Sequence, residues 1–165
     1  MGATRRYLLQ RDNDRGASLV EFALIMPLLL LMIFGIAEFG RFIAIATEVE
    51  TASRDAARYG SAVGMSVNGI PRYTDCAEIR AAARSPAVML TLLDSAIDIS
   101  YDNGPGTPLL ATCPAGTPPS ADTFDSGDRI IVTVTADFQT GIPLIGDLLG
   151  PVTLTSTDRR TIFKG

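Results

Sequence analysis

The chain has 165 residues, a net charge of −4, and neither histidine nor tryptophan. That length allows one small soluble domain beside any membrane segment, and missing histidine removes the commonest general base and the commonest metal ligand together. Residues 1–16 carry Arg5, Arg6, Arg11 and Arg15 against Asp12 and Asp14, whereas the rest is net acidic; an acidic body without a Lys/Arg cluster argues against nucleic acid, whose binding rests on phosphate neutralisation.

The block Gly16-Ala17-Ser18-Leu19-Val20-Glu21-Phe22 runs into an unbroken apolar stretch from Phe22 to Ala37. Between Ala17 and Ala37 the only charge is Glu21, and the length meets the roughly 20 residues needed to cross a hydrocarbon core. The spacing predicts a transmembrane helix over residues 17–40, closed by Glu38 and Arg41, with Pro27 producing a local kink. Four arginines before the segment and mixed charges after it put the N-terminus in the cytoplasm and everything from about residue 40 outside it. A cleaved secretory signal ending at Ala44-Ile45-Ala46 is the rival reading, but Glu38 and Arg41 interrupt it. A plain single-span anchor stays open.

A carboxylate at the edge of a membrane segment is costly and marks a functional position. Glu21 either has a charged partner or lies solvated among the headgroups. Ser18 followed by Glu21 also fits a capping box, which predicts a helix beginning near Ser18.

The helical pattern continues past the membrane. Phe39, Phe42, Ile43, Ala46, Val49, Ser53, Ala56 and Ala57 recur at spacings of mostly three and four. A helix from Ser18 to Tyr59 would be about 63 Å long at ~1.5 Å per residue, twice the roughly 30 Å of a bilayer core. Residues 41–60 are therefore expected to form an extramembrane continuation, packing their small-residue stripe against this chain or against other copies.

The run RGASLVEFALIMPLLLLMIFGIAEFGRFIAIATEVETASRDAARYG resembles the N-terminal region of TadE-like proteins, minor pseudopilins of tight-adherence (Tad, Flp-type) pilus systems. The likeness rests on the Arg-Gly pair, the glutamate followed by an aromatic, the proline-bearing apolar helix and the trailing Ala-Ala-Arg-Tyr-Gly. TadF-like and TadG-like proteins share similar openings; the length favours the TadE-like group over the longer TadG-like one, and a TadF-like role stays open. The resemblance implies that residues 1–16 are a prepilin-type leader, cut by a prepilin peptidase between Gly16 and Ala17. Glu21, followed by Phe22, would then lie one helical turn from the new amine and pair with that of a neighbouring subunit. Two such charges cost far less in hydrocarbon together than apart. The implied partners are other pilins and pseudopilins, through this helix, and an assembly platform in the inner membrane. The implied localisation is a single pass through that membrane with a periplasmic domain, with incorporation into an extracellular adhesive pilus as a further expectation.

Residues 61–165 form the exported domain. Cys76, Ile79, Ala82 and Ala83 predict an amphipathic helix over 75–84, with Glu78 and Arg80 on its outer face. Ser85-Pro86 reads as the start of a second helical piece reaching Leu93. Strands are predicted over 96–101, 128–138 and 152–163; in the second, Ile130, Val132, Val134, Ala136 and Phe138 face inward. Residues 103–127, rich in Gly, Pro, Ser and Thr, read as an irregular loop, and Ile142 to Leu149 as a compact apolar turn or short helix. The expected fold is α+β: a long N-terminal transmembrane helix and a small pilin-like domain of about three antiparallel strands packed on helices.

If exported, Cys76 and Cys113 are expected to pair as a disulfide; a two-cysteine metal site lacks histidine partners and the usual spacing. Asp122, Asp125 and Asp128 recur every third residue, unlike the alternate carboxylates of a calcium loop, and read as a solvated turn. No nucleophile has a base nearby, and no metal or cofactor motif emerges, so a non-enzymatic role is expected. Two functions follow: a processed minor pseudopilin that assembles or primes a pilus, or an uncleaved, membrane-anchored extracytoplasmic binding protein.

Overall fold

The computed structural model describes residues 3–114, 117–141 and 150–164. Five elements beyond short 3-10 turns precede the last strand: helix α1 (Ala3–Ser61), helix α2 (Cys76–Arg84), and strands β1 (Ile97–Asp102), β2 (Leu109–Thr112) and β3 (Arg129–Phe138); strand β4 (Val152–Thr161) completes the series. The chain divides into two units, Met1–Arg41 and Phe42–Gly165.

In the first unit, α1 begins well before Ser18, so the expected capping box is replaced by helix interior. Leu8, Leu9, Gln10 and Arg11 are good helix formers and no proline occurs before Pro27. The helix also runs through Pro27. Among the described residues nothing covers the apolar stretch: Leu24 is 75% exposed, and Leu28 and Phe34 are exposed too. Among the described residues this is the one helix long and apolar enough to cross a membrane, and the single N-terminal helix gives the chain a membrane anchor.

In the second unit, α1 changes character. Val49, Ala52, Ser53, Ala56 and Ala57 are buried, because small side chains let the helix approach a sheet closely. At Gly60 an added Cβ would collide with the end of Ile130 and sit 3.3 Å from Ile79. The Ser53 hydroxyl meets that of Ser156 on β4 at 2.9 Å. Thr47 and Thr51 return their hydroxyls to the carbonyls of Ile43 and Thr47, each at 2.8 Å, and so keep their polar groups satisfied on the helix itself.

Helix α2 starts at Asp75, whose side chain accepts the Glu78 N–H at 3.2 Å. Burial disfavours the charged form of Asp75, but hydrogen bonds from Ser66, Asn68 and the Glu78 and Ala77 backbone outweigh it and hold the carboxyl below its ordinary range. After Arg84 the expected second helical piece is absent: residues 85–93 form turns and extended chain, followed by a 3-10 turn at Asp94–Ala96. Tertiary contacts override the local signal there. Glu48 accepts the Met89 N–H, Arg84 donates to the Leu92 carbonyl at 3.1 Å, and Leu92 is buried in the core.

The sheet is antiparallel throughout, in the order β2-β1-β3-β4. Its inner face sets Ile97, Ile99, Tyr101, Ile130, Val132 and Val134 against Val49, Ala56, Ile79 and Ala83. Four strands replace the expected three, because Leu109–Thr112, inside the stretch read as loop, pairs with β1. The predicted turn at Ile142 to Leu149 lies outside the described residues. The outer face carries facing threonines, Thr133 with Thr157 at 2.9 Å and Thr135 with Thr155 at 3.4 Å, and the bidentate pair of Arg129 with Asp102, both bonds 2.7 Å. That Arg129 hydrogen bond, more than the opposing effect of burial, holds the Asp102 carboxyl below its usual range.

Candidate functional site

The residues singled out near the N-terminus form one linear site on α1. Gly16, Ala17, Glu21 and Phe22 are all exposed. Ala17 and Glu21 stand one turn apart, as i and i+4 residues do on a helix. At Gly16 an added Cβ would meet nothing within 4 Å, and its backbone is ordinary helix without positive φ. Glycine in a helix interior costs about 1 kcal/mol relative to alanine. Neither packing nor backbone conformation within the chain calls for it, although Gly35 and Gly40 share that openness. Gly16 is therefore a weak point in α1, and both it and Ala17 are exposed residues.

A second cluster lies in the folded unit. Cys76, the first residue of α2, is joined to Cys113, just after β2, in a disulfide with Cα atoms 5.7 Å apart. The sequence separation is 37, and closing such a loop stabilises by about 3–4 kcal/mol on the chain-entropy account. Both sulfurs are consumed in that bond. Tyr101 donates its hydroxyl to the Tyr73 carbonyl at 2.6 Å and lies 3.4 Å from the Cys113 Sγ. Burial pushes its phenol well above the ordinary tyrosine value. Phe124 packs on Tyr101, with ring centroids 4.4 Å apart, and edge-on against Tyr73 at 5.8 Å.

Arg80 corrects the sequence reading. Expected on the outer face of α2, it is buried. Its guanidinium donates to the Cys113 carbonyl and, at 3.4 Å, to that of Cys76, holding both ends of the disulfide. Among the described residues its Nε has no partner, and burial, with Arg84 nearby, lowers its pKa. The signal was present: Arg80 stands four residues after Cys76, on the same helical face, but a charge there reads by habit as solvated. Tyr101 falls at the end of the strand expected over 96–101, a position that carries no sign of the disulfide beside it.

The aspartates around Gly127 close a turn. Asp128 is buried and accepts the Asp125 N–H at 2.7 Å, while Asp122 and Asp125 are exposed. Among the described residues no group of three acidic or sulfur side chains is placed to hold a metal ion. An open cavity of about 270 Å³ lies beyond the end of α1, lined in part by Val63, Met65, Tyr73, Asp122, Phe163 and Lys164.

No curated protein and no solved structure matches the chain. Residues 16–58 match the family described as TadE-like protein. The match begins at Gly16 and ends within the part of α1 that underlies the sheet, so the likeness to TadE-like proteins covers the apolar helix and its extension.

Proposed function

We propose that the chain is a minor pseudopilin of a Tad-type pilus system, cut by a prepilin peptidase between Gly16 and Ala17 and acting in pilus assembly or priming. The observation that carries this reading is the TadE-like match starting at Gly16. Exposure of Gly16 and Ala17 and the helical weakness at Gly16 support it. Cleavage would leave an amine at Ala17 one turn from Glu21, and the pair would set the axial register between neighbouring subunits in the inner membrane.

Mass spectrometry of the membrane-extracted protein tests the cut. A new N-terminus at Ala17, lost in Gly16→Ala or without the peptidase, is expected; an intact leader in wild-type cells overturns the reading. Glu21→Ala is expected to leave cleavage in place yet impair pilus formation, and normal pili with that variant refute the charge pairing. The cavity beside Tyr73 and Phe163 favours the second reading, an uncleaved anchored binding protein, which an intact leader would bring forward.

A further inference from the structure

The end of the second unit where the chain enters is marked by Phe42, whose ring meets Phe138 edge-on at a centroid distance of 5.3 Å. Phe138 pairs with Val152, so the end of β3 and the start of β4 lie at this end. The α2–β1 connection, residues 85–96, lies there too. It delivers the chain to Ile97, opposite Val134, and Glu48, about two helical turns beyond Phe42, accepts its Met89 N–H at 3.0 and 3.1 Å. The α1–α2 connection lies at the other end, where Gly60 approaches Ile130.

The α2–β1 connection holds large apolar side chains in the open. Val88 is 88% exposed, Leu93 64% and Met89 54%. The loop has not lifted away: Leu92 is buried between them, Arg84 bonds its carbonyl, and Arg84 also pairs with Asp94. A backbone fastened at several points thus presents an apolar tip, which on a soluble protein marks a contact surface. Three carboxylates at this end are engaged, Glu48 by the Met89 N–H, Asp94 by Arg84 and Asp137 by the Thr153 hydroxyl at 2.8 Å. That lowers the cost of moving this end into a less polar medium.

Chain connectivity selects the partner. The apolar stretch ends at Ala37 and the second unit begins at Phe42. Even a fully extended link of that length keeps Phe42 within about 18 Å of Ala37, at ~3.5 Å per residue. A bilayer around the anchor is therefore always within reach of this end. We propose that Val88, Met89 and Leu93 insert into the interfacial layer of the bilayer that the apolar helix spans, giving the exported unit a second, reversible hold on the lipid surface. Ile43 and Val152, both exposed, extend the same surface. This inference rests on membrane insertion of α1.

The absence of tryptophan makes the test direct, since one introduced indole is the only one in the protein. The full chain is reconstituted into phosphatidylcholine vesicles, with and without bromine near the top of the acyl chains. Phe34→Trp reports on the anchor, Val88→Trp and Leu93→Trp on the loop, and Val67→Trp, 84% exposed on the α1–α2 connection, on water. Blue-shifted emission and loss of most of it to brominated lipid are expected at positions 34, 88 and 93 and not at 67. If position 34 is quenched while 88 and 93 behave like 67, the loop proposal is overturned and the anchor stands. If position 34 is also unquenched, both fail. A blue shift at 88 without lipid quenching means contact with another copy and overturns the proposal as well.

Discussion

Between Leu19 and Phe39, α1 leaves large aliphatic and aromatic side chains exposed; beyond Phe42 the same helix turns a stripe of alanine and serine inward beneath a sheet. Among the described residues the first stretch has no apolar partner and needs an apolar solvent, whereas the second makes its own dry interior with α2 and β1–β4. Secondary structure is common to both, so what separates them is side-chain size and the medium each was selected for. The TadE-like match spans the junction. Anchor and docking stripe thus belong to one segment, while the sheet that receives the stripe lies outside it.

The sharpest way to break the contrast is to remove the covalent tie of the second unit alone. Cys76→Ser is expected to lower the stability of that unit by about 3–4 kcal/mol while leaving α1 before Arg41 helical. Urea unfolding of the detergent-solubilised chain, followed by near-ultraviolet circular dichroism of its tyrosines, reads the first; far-ultraviolet helicity at high urea reads the second.

A smaller effect separates the two faces of α1. Ala56 is 0% exposed, so Ala56→Leu forces extra volume under the sheet and is expected to cost about 1–3 kcal/mol. Leu24→Ala, a comparable change of size in the first unit, is expected to alter the same unfolding transition by less than about 0.5 kcal/mol. Equal effects would mean that the two units fold as one.

The smallest expected effect is on pH dependence. Asp75 and Asp102 both ionise more readily folded than unfolded. Their contribution is fully present above the ordinary aspartate value of about 4 and is lost as pH falls through their lower folded values. Acid titration of the second unit should therefore show stability declining below about pH 4, with a shallower decline in Asp102→Asn. An unchanged slope would mean that the Arg129 pair does not contribute.

Much of the candidate site was legible because it is linear. Gly16, Ala17, Glu21 and Phe22 take their meaning from order along one helix, and a helix preserves that order in space. The cluster around the disulfide was legible only in its sulfurs. Arg80 could be placed beside Cys76 by its spacing, but that it reaches the Cys113 carbonyl depends on where β2 ends. Strand β2 was missed because four residues between Pro108 and Pro114 have no periodicity of their own; β1 supplies the hydrogen bonds that make them a strand. The false helix over 86–93 failed for the converse reason. Its local start signal was outweighed by Glu48, Arg84 and the burial of Leu92.

By itself the sequence determined the apolar helix, the acidic body, the α+β plan and the inward face of β3, all of which follow from composition, periodicity and the length of a bilayer. Tertiary structure decided the fourth strand, the burial of Arg80 and the exposure of Val88, Met89 and Leu93. Each of these depends on groups far apart in the chain meeting at one place, and local pattern carries no record of such meetings.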